Sequence, residues 1–252
     1  MMKWSFLCGI ACLLIAGCAD KNAEAMKDFF LNPATPVSGP AALQGKYDVK
    51  KSPYFKQLDF YNMKSSGTLI LLPQFKTVQQ TTELTAGPAC VLMALNYFGK
   101  ADGVTERQLA VETDTRDYEH ARCDGGFGTT REAIAQAFEK RGIRTRIDAV
   151  IESEEELPAF IKSELQKGNL ILINYASWVN HWSVVIGYDD MGTAGIEDDV
   201  VILADPADTS DHCQDGYTIY SAERLFFANY DPGVLYGEYR DGLFVIAEKP
   251  VR

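Results

Sequence analysis

The run from Ala86 to Gly99, AGPACVLMALNYFG, constrains the chain more than any other. Pro88 to Phe98 reads as one helix, closed by Gly99 as a left-handed C-terminal cap, and it is apolar on most of its sides. A helix of that kind cannot lie on a surface, because every exposed face would leave hydrocarbon in water. It has to sit at the centre of a domain with other elements wrapped around it. A chain of 252 residues with a hydrophobic fraction of 46% can supply that wrapping without disulfides or metal.

The flanking segments give the wrapping its character. Leu69 to Leu72 is a short apolar run ended by Pro73, and Thr105 to Glu112 is a second, polar-faced helix. A long loop, 113–128, carries His120, Cys123 and several glycines. Thr129-Thr130-Arg131-Glu132 reads as a capping box that starts a helix running to Gly142. Ile143 to Ala149 alternates as a strand, and Ser153 to Gln166 is a helix stopped by Gly168. The texture then becomes β: Leu170–Tyr175, Trp182–Tyr188 and Val200–Ala204 are apolar and β-branched, followed by a short helix, Ser221–Ala228, and a strand, Leu243–Ala247. Helices first and an antiparallel sheet afterwards predict an α+β fold, with the central buried helix packed on the sheet.

The N-terminus carries an address. Lys3 precedes an apolar run from Trp4 to Ala16, which is too short to span a bilayer comfortably, and Gly17-Cys18 follows. This pattern resembles a bacterial lipoprotein signal: residues 1–17 are removed, and Cys18 becomes the lipidated first residue. Ala19 after the cysteine favours an outer-membrane anchor facing the periplasm, by the same resemblance. Residues 18–67, with prolines at 33, 36, 40 and 53, read as an extended tether, and the domain proper as 68–252. In an oxidising compartment Cys90, Cys123 and Cys213 remain. Cys90 lies within the apolar helix, which leaves Cys123–Cys213 as the candidate disulfide.

Charge and histidine count exclude some chemistry. With 24 Lys+Arg against 35 Asp+Glu, the net charge of −11 argues against nucleic acid as a partner. The three histidines, 120, 181 and 212, show no metal-ligand spacing, and no phosphate-cradling glycine loop is present. Neither a metal nor another cofactor is expected.

Other residues do suggest chemistry. A helix N-terminus concentrates unpaired N–H groups and positive potential, which is where a thiol ionises readily. Thiol hydrolysis also needs an imidazole, a group to orient it, and donors for the oxyanion. His181 opens the strand WSVVIGYDD, Asp205 ends the neighbouring one, and Gln80 precedes the central helix by a short loop. Taken singly, a His beside a Trp and an Asp-Pro turn are ordinary structural residues; it is the combination that points to a site.

In order and separation, these segments resemble the papain-fold family of bacteriocin-processing (double-glycine) peptidases and their wider relatives. They are Gln80, the position before Gly87-Pro88-Ala89, Asn96-Tyr97-Phe98-Gly99, Gly128-Thr129, His181-Trp182 with the following VVIGY, and Asp205-Pro206. The resemblance covers about 68–248. It implies a Cys-His-Asp peptidase with Gln80 as oxyanion donor, His181 as base and Asp205 orienting it. The nucleophile position, six residues after Gln80, holds Ala86. Cys90 lies about 6 Å further along the helix, away from its free N–H groups. Thr85 is placed as the helix N-cap, and Cys123 fits a disulfide or free thiol better than a nucleophile. Two histories fit the alanine: an inactivating Cys→Ala change, or a naturally non-catalytic domain that binds a peptide or protein segment in the same cleft.

Overall fold

The computed structural model describes residues 21–42, 44, 52–122, 126–147, 151–177, 180–208, 211–230 and 243–251. The expected signal segment 1–17, Cys18 and Cys123 lie outside them. Among the described residues the strands are β1 (Leu69–Leu71), β2 (Thr145–Arg146), β3 (Leu170–Ala176), β4 (Asn180–Asp189), β5 (Val200–Ala204), β6 (Tyr217–Ser221) and β7 (Leu243–Ala247). They form one sheet in the order β2-β7-β3-β4-β5-β6, antiparallel throughout, with β1 also paired to β4. β3 pairs with β4 as far as Val185, and β1 takes up the same edge from Gly187 onward.

The helices are α1 (21–31), α2 (Ala86–Phe98), α3 (Glu106–Glu112), α4 (Arg131–Glu139), α5 (Glu156–Lys167) and α6 (Ala222–Tyr230). They cover both sides of the sheet, as the register shows. Ile173 faces Ser183 on one neighbour and Phe244 on the other, and Phe244 meets the ring of Phe160 from α5. Trp182, one residue from Ser183 and therefore on the opposite face, donates through Nε1 to the Thr129 carbonyl just before α4. Central strands covered on both faces explain why β3 and β4 read as continuous apolar runs. The expected α+β architecture is found, with α2 buried along most of its length and Gly99 at its end in the left-handed conformation, φ 66°.

Several local expectations change. The hydroxyl of Thr130, not Thr129, caps α4, accepting from the Ala133 amide, and Glu132 takes no part. A complete capping box stands instead on α3, between Thr105 and Gln108. Thr85 is the N-cap residue of α2, but its hydroxyl makes no cap bond: it is turned to the preceding loop, accepting from the Thr82 amide and hydroxyl and donating to the Thr82 carbonyl. Within the expected strand 143–149 only Thr145–Arg146 pairs, on the edge beyond β7; 148–150 lie outside the described residues. β6 was not expected at all.

The largest change concerns the expected tether over 18–67. Its first described part is helical, α1, and it is docked on the domain. Met26 and Phe30 are buried with Ala110 of α3, flanked by Leu84 and Val111. One apolar residue per turn suffices here, because α3 supplies the other side of the contact.

Candidate active site

Antiparallel register brings the candidate imidazole and carboxylate together. Val184 stands opposite Ala204, so the next residue of β5's chain, Asp205, falls beside Ser183, and its side chain points to the same face as His181 two residues away. The outcome is a contact of 2.7 Å between His181 Nε2 and Asp205 Oδ1. Both side chains are largely buried, at 12% and 11% exposure. Burial alone would raise the Asp205 carboxyl, but the hydrogen bond and charge of His181 and the amides of Ala207 and Asp208 outweigh it, so the group is held below its ordinary range. An ionised carboxylate only accepts, so in the neutral imidazole the proton sits on Nε2 and the lone pair on Nδ1.

Helix α2 packs against β4. Cys90, one turn into the helix, donates through Sγ to the Trp182 carbonyl at 3.3 Å. It is fully buried, and burial pushes its thiol well above the usual value, with the Asp205 charge adding to the effect. Cys90 is therefore a protonated packing residue and not a spare nucleophile. One turn earlier stands Ala86, the first residue of α2, 7% exposed. Gly87 allows this end of the helix to press on the chain before α4: a Cβ there would lie 2.8 Å from Cβ of Thr129. Thr129 is itself fixed on both sides. Its carbonyl accepts from Trp182 and its hydroxyl joins that of Thr115 at 2.7 Å, which meets Thr113 at 3.1 Å.

Gln80 is 2% exposed and donates through Nε2 to the Thr82 carbonyl at 2.9 Å, which leaves the second N–H of the amide uncommitted to that bond. Its backbone N–H donates to the Pro206 carbonyl at 2.9 Å, tying the Gln80 loop to the residue after Asp205. The structure thus pairs His181 with Asp205 and bonds the Gln80 backbone to Pro206, the residue after Asp205, while Ala86 opens α2 one turn before Cys90. Cys123 lies outside the described residues and Cys213 is partly buried near Gln57, so their expected pairing falls outside what is described.

Sequence reasoning missed Tyr175. It pairs with His181 across the β3–β4 hairpin, packs its ring edge-on to the imidazole at 5.7 Å, and shares a 3.1 Å hydrogen bond with Ser183. The expected strands, Leu170–Tyr175 and Trp182–Tyr188, stop short of His181, and only the register, with Tyr175 opposite His181, reveals the contact. No group of three or more potential metal ligands occurs among the described residues.

A family model described as Peptidase_C39 like family matches residues 72–231. Among solved structures, the chain is similar to the peptidase domain of Streptococcus ComA, a bi-functional ABC transporter involved in a quorum sensing pathway. Identity there is 19%, over 70% of this chain and 99% of that one, with a TM-score of 0.45. It is also similar to a double glycine motif protease from an AMS/PCAT transporter, solved in complex with the leader peptide: 17% identity, 69% and 91% coverage, TM-score 0.42. The peptidase domain of Streptococcus mutans ComA aligns at 18% identity, with 70% and 100% coverage and a TM-score of 0.39. No curated protein matches the chain significantly.

Proposed function

This chain belongs to the Peptidase_C39 like family, and from that premise we propose that its cleft is a Cys-His-Asp peptidase site lacking its nucleophile, which takes up a peptide or protein segment and leaves it uncut. The observation that carries the reading is the 2.7 Å contact between His181 Nε2 and Asp205 Oδ1, in a domain whose central helix begins at Ala86. That pair is the arrangement a thiol hydrolase uses to hold an imidazole in one tautomer, with Nδ1 as the base. With a cysteine at position 86, Nδ1 takes the thiol proton and the sulfur attacks the peptide carbonyl carbon. The oxyanion is met by the second N–H of Gln80 and by the first N–H groups of α2. The C–N bond then breaks as the imidazolium returns the proton to the leaving amine, and water releases the acyl group. The methyl group of Ala86 has no lone pair to begin this sequence, so binding remains and hydrolysis does not.

The same proposal includes the setting. Lys3, the apolar run Trp4–Ala16 and Gly17-Cys18 support an exported protein anchored through lipid on Cys18, in the outer membrane and facing the periplasm. Among the described residues no helix is long and apolar enough to cross a membrane.

The test is Ala86→Cys. The variant should react with a thiol-directed active-site probe and cleave members of a peptide library, while the parent chain binds the same peptides without cleaving them. Restored hydrolysis should exceed that of the parent by several powers of ten, the usual cost of losing such a nucleophile. A variant that neither labels nor cleaves would assign the cleft to binding alone. Cleavage by the parent chain that is lost on Cys90→Ser would move the nucleophile elsewhere.

A further inference from the structure

The loop that carries Gln80 is held from three sides, one of them by chain that precedes the family-matched residues 72–231. Gln80 N–H donates to the Pro206 carbonyl, Thr81 N–H to Glu106 Oε1 of α3, and Thr82 N–H to the Thr85 hydroxyl. Two of the carbonyls face the other way, toward 38–41. The Thr81 carbonyl accepts from the amides of Ser38 and Gly39, both at 3.0 Å, and the Gln80 carbonyl from the amide of Ala41 at 3.2 Å. The third carbonyl, of Thr82, is the acceptor that orients the Gln80 side-chain amide.

Gly39 lies directly against that arrangement. A Cβ on it would stand 2.8 Å from the Thr82 carbonyl carbon, 2.9 Å from the Thr82 nitrogen and 3.0 Å from the Gln80 oxygen. All three are backbone atoms, which cannot swing aside as a side chain can. The approach is secured upstream by α1, with Met26 and Phe30 buried on α3. Arg107 of α3 adds bonds to the carbonyls of Phe30, Asn32 and Thr35 at 3.4, 3.2 and 2.9 Å. One helix, α3, therefore holds the Gln80 loop through Glu106 and the strap over it through Arg107.

We propose that residues 32–42 are a working part of this site: a strap that sets the Gln80 amide for the oxyanion, with Gly39 as its positioning residue. The inference rests on the peptidase reading of the cleft, and the experiment has two arms so that the two can fail separately. The first uses the chain as it stands. Hydrogen exchange of the amides of Ser38, Gly39, Ala41 and residues 80–82 is compared among the parent, Gly39→Val and Arg107→Met. Exchange about tenfold faster in these amides, with α2 and β4 still protected, is the expected result. Unchanged protection in both variants would overturn the strap's role, whatever the cleft does.

The second arm uses the Ala86→Cys background. Gly39→Val should lower kcat about 10- to 100-fold at unchanged KM, the range for misplacing one oxyanion donor. Combined with Gln80→Ala, it should add nothing further, because a residue acting only through Gln80 has no effect once Gln80 is gone. A Gly39→Val penalty that persists in full beside Gln80→Ala would show general damage and sink the proposal. If Ala86→Cys proves inert, the peptidase reading fails and the exchange arm alone decides the strap.

Discussion

At the scale of single residues, two neighbouring carboxylates respond to their surroundings in opposite senses. Asp205 is held ionised by His181 and backbone amides. Asp208, three residues on and 1% exposed, is pushed up to about 8 by burial, against the Gly216 amide and aided by the charges of Asp211, Asp215 and Asp205. Gly216 links the pair, its carbonyl accepting from Asp205 N–H at 2.9 Å and its amide donating to Asp208 Oδ2 at 2.6 Å. Above about pH 4 the unfolded chain releases the Asp208 proton while the folded chain keeps it up to about 8, so this group costs stability progressively across that interval. Asp205 works the other way: its contribution is in place at neutral pH and is lost as pH falls through its depressed folded value. Asp208→Asn keeps an acceptor for Gly216 and removes the ionisation. It should raise stability by on the order of 1–3 kcal/mol at pH 8 and leave it unchanged at pH 4, read from urea midpoints at both values. Strand ends placed His181 and Asp205 together from sequence because antiparallel neighbours leave little choice. Asp208 was not legible, since its burial depends on a loop whose path no periodicity describes.

At the scale of elements, the end of α2 nearest the site is set by a single missing methyl group. Gly87→Ala would place a Cβ 2.8 Å from Cβ of Thr129. Thr129 has no freedom to retreat, with its carbonyl bonded to Trp182 and its hydroxyl to Thr115. The substitution should cost about 1–3 kcal/mol through overpacking, seen as a lower denaturant midpoint at unchanged slope. Helices were readable where a glycine stops them, as Gly99 and Gly168 do, both left-handed in the structure. The capping box was misplaced because Thr129 and Thr130 both offer a hydroxyl, and only the fold decides that Thr129 spends its own on Thr115. Among the described residues β2 pairs with β7 at Thr145–Ala247 and Arg146–Ile246, and Glu248 N–H donates to the Arg144 carbonyl just before it, so the segment meets the sheet over a shorter stretch than its alternating pattern suggests. β6 lies between an acidic loop and a helix start, which mask it although Tyr217-Thr218-Ile219-Tyr220 has strand composition.

At the scale of the whole molecule, the domain reaches further toward the N-terminus than its apolar pattern suggested. Prolines at 33, 36 and 40 read as part of an extended tether, yet they belong to a strap fastened by backbone bonds that leave no trace in side-chain pattern. Phe30→Ala should release α1 without unfolding the remainder. Trypsin cleavage at Lys27 is expected to become about tenfold or more faster, while the thermal unfolding of the domain stays in place. Order of synthesis adds one more consequence, which follows from the position of β7. It is made after every other strand of the sheet, yet it inserts between β3 and β2, pairing with β3 at every residue from Leu243 to Ala247. Until residues 243–247 arrive, the apolar strand Leu170-Ile171-Leu172-Ile173 has an open edge with a full row of unpaired backbone groups. A nascent chain halted before Leu243 is thus a sticky intermediate, and its safe handling falls to whatever shields β3 until β7 is made.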